Sequence, residues 1–369
     1  MDIHTLSPTP GKDYPQTWNE FLDWFATEEA CLAYLERLRW TQGFVCPRCG
    51  SIGDAYRASR TRLMCPRCQH QSSVTAGTIF DKTRTPLRVW LAAAWYLTNQ
   101  KQGVSALGLQ RVLGLGSYQT AWTMLHRLRR AMVRPGREQL RGLVEVDETY
   151  LAITDRQNPI SPKGRKSSTS KVLVVMAVEM LDPKGFGRIR LRRIANDSAA
   201  SVIPFVQEVI EPGAQVRTDG SAAYLTLKDL GFVHQRTVML GSDVPAHVSM
   251  VGVHRVAALV QRWILGTHHG SVQPEHLDAY LDEFVFRFNR RTSNSRGMLF
   301  YRLLQQAVVT APVTYRDVVK KGLTVCTAGI PSTTDYLSSE RVLLELSGYP
   351  LRNYSSLEKN VTNGKSHPH

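Results

Sequence analysis

The spacing of apolar residues changes character near residue 141. Upstream, residues 17–40 carry a helical spacing that predicts two short helices, the second of them starting at Thr27. Residues 86–133 predict three further helices joined by turns that contain glycine. Downstream, alternating and continuous apolar runs predict β-strands instead. The chain therefore combines a helical N-terminal part with a sheet-containing part.

The segments after residue 141 follow the order strand, strand, strand, helix, strand. They read LVEVDETYLAI, KVLVVMAVEML, GRIRLRRIAN, SAASVIPFVQEVI and AQVRTDG. This order predicts an α/β fold of the ribonuclease H-like class, with a mixed sheet. A basic loop, DRQNPISPKGRKSSTSK, separates the first two strands and is expected to be flexible.

Four of the six cysteines form two CxxC turns. Cys46 and Cys49 are followed, after 15 intervening residues, by Cys65 and Cys68. Two such turns can hold one structural Zn²⁺ in a closed tetrahedral site, which stabilises a unit too small to bury much apolar surface. Redox or iron–sulfur chemistry is the alternative for this pattern. Cys31 stands at a helical apolar position and is expected in a core.

The three helices predicted over residues 86–133 suit a helix-turn-helix unit that binds DNA. Ser105 is a candidate cap for the middle helix, and Pro135 and Gly136 end the third. A small helical bundle that only packs is the alternative.

Lys and Arg number 46 against 31 Asp and Glu, a net charge of +15. This excess favours a nucleic acid partner, although a basic solvated surface is the simpler alternative. No run of about 18 apolar residues occurs, so we expect no membrane span. The arginines expected to hold DNA phosphates are Arg127, Arg129, Arg130, Arg134, Arg262 and Arg290.

Two aspartates stand at positions in predicted strands where a metal-binding carboxylate is expected. Asp147 lies within an apolar strand, on the same face as Glu145, and Asp219 ends a later strand. A charge at such a position is costly unless it is paired or bound to a metal, so the two carboxylates fit a Mg²⁺ site. A salt bridge for Asp147 and a turn cap for Asp219 are the alternatives.

His254 stands where a third metal-binding acid is wanted. Phosphoryl-transfer sites with two metal ions commonly take a third carboxylate from a later helix, and 34 residues separate Asp219 from His254 in VGVHRVAALVQRWILG. Imidazole suits Mn²⁺ better than Mg²⁺. A packed or surface histidine is the alternative. The nearby acids Asp243, Glu275 and Asp278 do not fit the spacing.

With these motifs the chain resembles the zinc-ribbon insertion-sequence transposases that carry a DDE-type domain. The likeness runs from residue 17 to about residue 310. The motifs that carry it are FLDWFATEEACLAYLERLRW, GFVCPRCG, CPRCQHQSSVTAGTIF, GVSALGLQRVLGLGSYQTAWTMLHRLRRAM, VEVDETYL, RTDGSAAY and RWILGTHHGSVQPEHLDAYLDEFVFRFNRR.

The resemblance implies an enzyme that cuts the ends of its own element and joins the 3′-hydroxyl strands to target DNA with two Mg²⁺ or Mn²⁺ ions. By motif, the first two acids of the family fall on Asp147 and Asp219. The third catalytic residue, usually Glu or Asn, falls on His254. A basic residue often found seven positions later falls on Gln261, beside Arg262. A catalytically weakened or domesticated DNA-binding protein is the alternative function.

The resemblance further implies terminal inverted repeats and target DNA as partners, at least a homodimer on DNA, and a bacterial cytoplasmic location at the nucleoid. In YLDEFVFRFNRR, aromatic and basic residues interleave, and we favour packing for Phe284, Phe286 and Phe288. The run His268-His269 could bind a metal or lie in a loop near DNA.

We predict five segments from these patterns. They are an N-terminal helical segment (1–42), a zinc ribbon (43–78), a helical DNA-binding domain (79–140), the ribonuclease H-like domain (141–310) and a partly disordered extension (311–369). Disorder is also expected at residues 1–15, which are rich in proline and polar residues.

Overall fold

The computed structural model describes residues 8–59, 61–134, 136–154, 169–237 and 249–321. The helices are α1 (Trp18–Trp24), α2 (Glu28–Arg39), α3 (Leu87–Asn99), α4 (Ala106–Leu113), α5 (Tyr118–Arg130), α6 (Ala199–Val209), α7 (Val251–His268), α8 (Leu277–Phe288), α9 (Arg296–Ala307) and α10 (Tyr315–Lys321). The strands are β1 (Phe44–Val45), β2 (Ile52–Gly53), β3 (Tyr56–Ser59), β4 (Arg62–Met64), β5 (Gln71–Ser73), β6 (Leu143–Thr154), β7 (Thr169–Met180), β8 (Phe186–Arg193), β9 (Gln215–Thr218) and β10 (Val233–Arg236).

Short polar side chains start the helices where the sequence predicts them. Thr27 Oγ1 accepts a hydrogen bond from the backbone nitrogen of Ala30 at 3.2 Å and caps α2. Ser105 Oγ accepts one from the backbone nitrogen of Gly108 at 3.0 Å and caps α4. Both caps satisfy backbone donors that a helix leaves unpaired in its first turn.

The N-terminal helices share one hydrophobic core with α9, which follows the sheet in the chain. Phe21 of α1 and Trp95 of α3 pack against Phe300 of α9, with ring centroids 5.8 and 5.3 Å apart. Cys31 is fully buried in the same core, which confirms its predicted place. Four of the predicted segments thus contribute to this core, and their exact boundaries stay a prediction.

The described part of the N-terminus, residues 8–15, corrects the predicted disorder. Tyr14 is only 2% exposed, and its ring packs against Tyr301 with centroids 5.9 Å apart. Gly297 of α9 leaves room for this segment, because a Cβ there would collide with the backbone oxygen of Pro15. A single buried aromatic residue therefore orders a stretch whose composition is polar.

The part of the chain after residue 141 contains a five-stranded sheet in the order β10-β9-β6-β7-β8. β7 runs antiparallel to β6 and β8, whereas β6, β9 and β10 are mutually parallel. α6 packs on one face of the sheet, and α7 and α8 pack on the other. This arrangement confirms the predicted ribonuclease H-like mixed sheet.

The two faces of β6 follow the predicted alternation. Val144 and Val146 enter the core beneath α6, whereas Leu151 and Ile153 enter the core beneath α7. Because successive side chains of a strand point to opposite faces, Glu145 and Asp147 belong to the face that α7 covers.

Several predictions lie outside the described residues. They concern most of the basic loop after β6, the acid Asp243, residues 1–7 and the extension from residue 322 onward. Within the part of the chain that the structure describes, no helix combines the length and apolar character that a membrane crossing requires.

Candidate active site and metal centre

Asp147 and Asp219 are brought together by the neighbouring strands β6 and β9. Residues Leu143–Glu145 of β6 pair in parallel with Gln215–Arg217 of β9. The same register, carried two residues further, puts Asp147 level with Asp219, which directly follows β9. Both residues are half-buried. The topology therefore joins two acids that lie far apart in the sequence.

The surroundings of Asp147 disfavour an isolated negative charge. The pKa of the Asp147 carboxyl is raised to about 6, mainly by burial and also by the nearby Asp219 carboxylate. The backbone N–H of Glu148, which donates to Asp147 Oδ1 at 2.8 Å, and the charge of His254 act in the opposite direction. A cation at this position would offset the repulsion between the two carboxylates.

His254 shares this electrostatic environment, as the sequence predicts. It lies in the first turns of α7, which packs across β6 and β7. Its charge acts on Asp147, and its Nε2 atom is buried with no hydrogen-bond partner among the described residues. A buried imidazole nitrogen without a partner is costly, and a metal ion would satisfy it.

The donor atoms of Asp147, Asp219 and His254 do not all lie within 4.8 Å of one another. Among the described residues, only the four cysteines bring three or more potential ligand atoms that close together. Carboxylate oxygens suit Mg²⁺ and Mn²⁺, and the imidazole nitrogen favours Mn²⁺.

Glu148 is an acid of this region to which the sequence interpretation gave no role. The hydroxyl of Tyr224 donates a hydrogen bond to Glu148 Oε1. Burial raises the pKa of the Glu148 carboxyl to about 7, and the charges of Asp147 and Asp219 act in the same direction. A charged residue inside an apolar strand was the signal that could have identified it.

The four cysteines form the predicted metal-binding cluster. Their Sγ atoms all lie within 4.8 Å of one another, with Cys46 and Cys68 separated by 3.6 Å and Cys49 and Cys65 by 3.7 Å. A tetrahedral Zn²⁺ with bonds of about 2.3 Å requires sulfur–sulfur separations of about 3.8 Å. The cluster therefore fits a structural Zn²⁺, held between a two-stranded and a three-stranded sheet.

Arg129 is corrected from a predicted DNA contact to a core residue. Its side chain is 1% exposed, and its Nε lies 2.8 Å from Glu283 Oε2. The guanidinium also stacks over the ring of Tyr280, 3.9 Å from the centroid. A side chain with these contacts is unavailable to phosphates, because reaching them would break a buried ion pair.

The other predicted arginines divide into packed and exposed groups. Arg127 is half-buried and donates to the backbone oxygen of Ile79 at 3.1 Å. Arg290 lies over the ring of Phe286, and burial lowers its pKa to about 10. The arginines that keep exposed or partly exposed side chains are Arg130, Arg134 and Arg262.

Positions near the end of α7 also depart from the predictions. His268 packs between Trp263 and Tyr280, so it belongs to the core and not to a loop. Gln261, at the position of the family's basic residue, donates through Nε2 to the backbone oxygen of Tyr150 at 3.4 Å.

The three phenylalanines of α8 confirm the packing interpretation. The exposed fractions of Phe284, Phe286 and Phe288 are 8%, 2% and 7%.

Comparison with known protein families gives two matches along the chain. The ISXO2-like transposase domain matches residues 139–289, and the transposase zinc-ribbon domain matches residues 26–71. A protein of Halobacterium salinarum, described as an uncharacterized protein in transposable element ISH50, is 26% identical over 282 residues. The alignment covers 71% of this chain and 91% of that protein.

Solved structures give weaker matches. The catalytic core domain of BIV integrase aligns with 42% of this chain and 88% of its own, at 16% identity and a TM-score of 0.28. The Mos1 strand transfer complex aligns with 59% of this chain and 74% of its own, at 14% identity and a TM-score of 0.24.

Proposed function

Because this chain belongs to the insertion-sequence transposases that combine a zinc ribbon with a DDE-type domain, we propose that it cuts the ends of its element and joins them to target DNA. The observation that supports the proposal is that Asp147 lies level with Asp219 on the neighbouring strand and within the electrostatic reach of His254. The chemistry is phosphoryl transfer from one DNA strand to water or to a 3′-hydroxyl.

In this proposal the two aspartates and the histidine are the metal ligands. Asp147 and Asp219 would hold two divalent ions through their carboxylate oxygens, and His254 would add its unpartnered Nε2. When bound, such ions supply the positive charge that activates the attacking oxygen and stabilises the leaving oxygen. Glu148, the next residue along the strand, accepts a hydrogen bond from the hydroxyl of Tyr224.

The remaining segments would hold DNA. In our proposal the zinc ribbon (43–78) and the helical domain (79–140) bind the terminal inverted repeats, and the domain at 141–310 performs the chemistry. Arg130, Arg134 and Arg262 offer phosphate contacts at the surface. Cutting two ends calls for at least a dimer on DNA, and we place the reaction at the bacterial nucleoid.

A second candidate function is a DNA-binding protein with a weakened catalytic core. Two observations favour it. First, an imidazole stands where a third carboxylate is expected. Second, the position at which the family often has a basic residue is occupied by Gln261, whose amide donates a hydrogen bond to the backbone oxygen of Tyr150.

The experiment that separates the two functions is a cleavage and joining assay on DNA carrying the element's ends, with Mg²⁺ and with Mn²⁺. We expect products with the wild type and none with Asp147→Asn or Asp219→Asn, while the affinity for uncut DNA stays near that of the wild type. Binding without cleavage by the wild type under both ions would establish the second function. If both variants cut DNA as fast as the wild type, Asp147 and Asp219 would not belong to the active site.

A further inference from the structure

The carboxylate of Glu145 lies beneath the start of the helix that carries His254. Glu145 is 1% exposed and lies on β6, two residues before Asp147 and on the same face. Its Oε2 accepts hydrogen bonds from the backbone nitrogen of Gly252 at 2.7 Å and from that of Val253 at 3.2 Å. The strand that carries the first aspartate is thus bonded directly to the helix that carries the histidine.

This contact provides hydrogen-bond acceptors for the first turn of α7, which has no capping side chain of its own. Its cap residue, Met250, makes no side-chain cap bond, and no acidic residue occupies its first turn. The first backbone donors of a helix need partners, and burying them without partners is costly. Glu145 satisfies two of these donors from outside the helix, immediately before His254.

The other oxygen of Glu145 is also occupied. Arg217 Nη1 lies 3.4 Å from Glu145 Oε1, across the β6–β9 pairing that aligns Asp147 with Asp219. With Oε2 held by two backbone N–H groups and Oε1 beside a guanidinium, Glu145 is poorly placed to serve as the third metal carboxylate.

Gly252 is fitted to the same contact. A Cβ at this position would lie 2.9 Å from Glu145 Oε2 and 2.6 Å from Met180 Sδ. With a larger residue here, either these side chains or the helix start would have to shift, and both would disturb the contact with Glu145. The small residue and the buried acid together hold α7 close to the strand.

Building on the proposed function, we propose that Glu145 is a positioning residue that fixes His254 against Asp147 by bonding the backbone of α7 at Gly252 and Val253. It touches no substrate and acts only through the placement of the imidazole. Outer residues of this kind commonly change metal affinity by about 10–100-fold when they are removed.

A double-mutant cycle on the zinc-loaded full-length protein tests this assignment. Mn²⁺ binding is measured by electron paramagnetic resonance of the free ion, with the Asp147→Ala/Asp219→Ala protein as the blank. Glu145→Ala should weaken Mn²⁺ binding about tenfold. Glu145→Gln, whose amide oxygen still accepts the two N–H bonds, should stay near the wild type. In a His254→Ala background, Glu145→Ala should cause no further loss.

A merely structural role would give the same loss of affinity in both backgrounds, and that result would overturn the assignment while the proposed function stands. If the wild type bound no Mn²⁺ above the blank, or if His254→Ala left the affinity unchanged, the proposed metal set would fail and the assignment with it. Should Glu145→Ala not fold, Gly252→Ala replaces it in the cycle with the same expectation, because its methyl group displaces the helix from Glu145.

Discussion

Arg129 and Glu283 form a buried ion pair that joins α5 to α8. Arg129 Nε lies 2.8 Å from Glu283 Oε2, and the two side chains are 1% and 0% exposed. Arg287 approaches the other oxygen of Glu283 at 3.0 Å, and Tyr280 supports the guanidinium of Arg129. The third helix of the predicted helix-turn-helix unit is therefore joined to α8 by a buried ion pair.

Arg129→Met should destabilise the protein by about 3–5 kcal/mol, because it leaves Glu283 buried beside a single remaining guanidinium. The adjacent Arg130→Met is the matched control, since Arg130 is exposed; we expect weaker DNA binding and an almost unchanged free energy of unfolding. Urea unfolding and a DNA-binding titration measure the two effects. If the free energy of unfolding of Arg129→Met equalled that of the wild type, the ion pair would not contribute to stability.

Removal of zinc should unfold the ribbon, because its apolar core is limited to a few residues around Phe44 and Leu63. We expect one Zn²⁺ per purified chain and its release, with loss of circular dichroism signal, on treatment with a chelator. Cys46→Ser should lower the zinc content. Cys31→Ser is the control, because this cysteine is buried in the separate helical core and should leave the zinc content unchanged. Full zinc content in Cys46→Ser would argue against the cluster.

Replacing His254 should change the metal preference of strand cleavage. His254→Ala should reduce the rate with Mn²⁺, because a nitrogen donor is lost, and His254→Glu should raise the rate with Mg²⁺ relative to Mn²⁺. The measurement is the ratio of initial cleavage rates with the two ions. The exposed neighbour Arg255 provides a control, since Arg255→Ala should leave that ratio unaltered. An unaltered ratio in both His254 variants would remove this residue from the site.

The stability of the protein should fall in mild acid because of buried histidines. Burial lowers the pKa of His268 to about 3, from 6.5. Between these values the unfolded chain binds more protons than the folded one, so the contribution of His268 is present above pH 6.5 and is lost as the pH falls. One such histidine contributes up to about 1.4 kcal/mol per pH unit.

His268→Gln should therefore reduce the loss of stability between pH 7 and pH 5 in thermal unfolding. His269→Asn tests the specificity of this effect, because His269 is exposed and Asn tolerates its positive φ of 50°. The same pH slope in wild type and His268→Gln would contradict a depressed pKa at this position.

Local pattern was sufficient for the order of the elements, the caps at Thr27 and Ser105, and the cysteine site. Each of these depends on residues close in the sequence. The burial of Arg129 could not be predicted in the same way, because a basic residue in a run of arginines gives no sign of a partner 154 positions later. Periodicity identifies the apolar face of a helix but not the surface that covers it.

In the candidate site, too, residue type and spacing carry some of the prediction, whereas contacts with distant parts of the chain could not be predicted. Residue type and spacing are enough to propose Asp147, Asp219 and His254; the topology brings the two aspartates together, and the role of all three stays a prediction. The contacts of Glu145 were not predictable, because its partners are backbone groups of a helix more than 100 residues away. Glu148 gave only a weak signal, since a lone charge in a strand has several explanations.

The bond between Glu145 and α7 uses only main-chain atoms of the helix. The support is therefore indifferent to which side chain stands at position 254, so long as position 252 stays small. Exchange of histidine for an acid or an amide would leave these two backbone hydrogen bonds in place, so the start of α7 would stay bonded to β6.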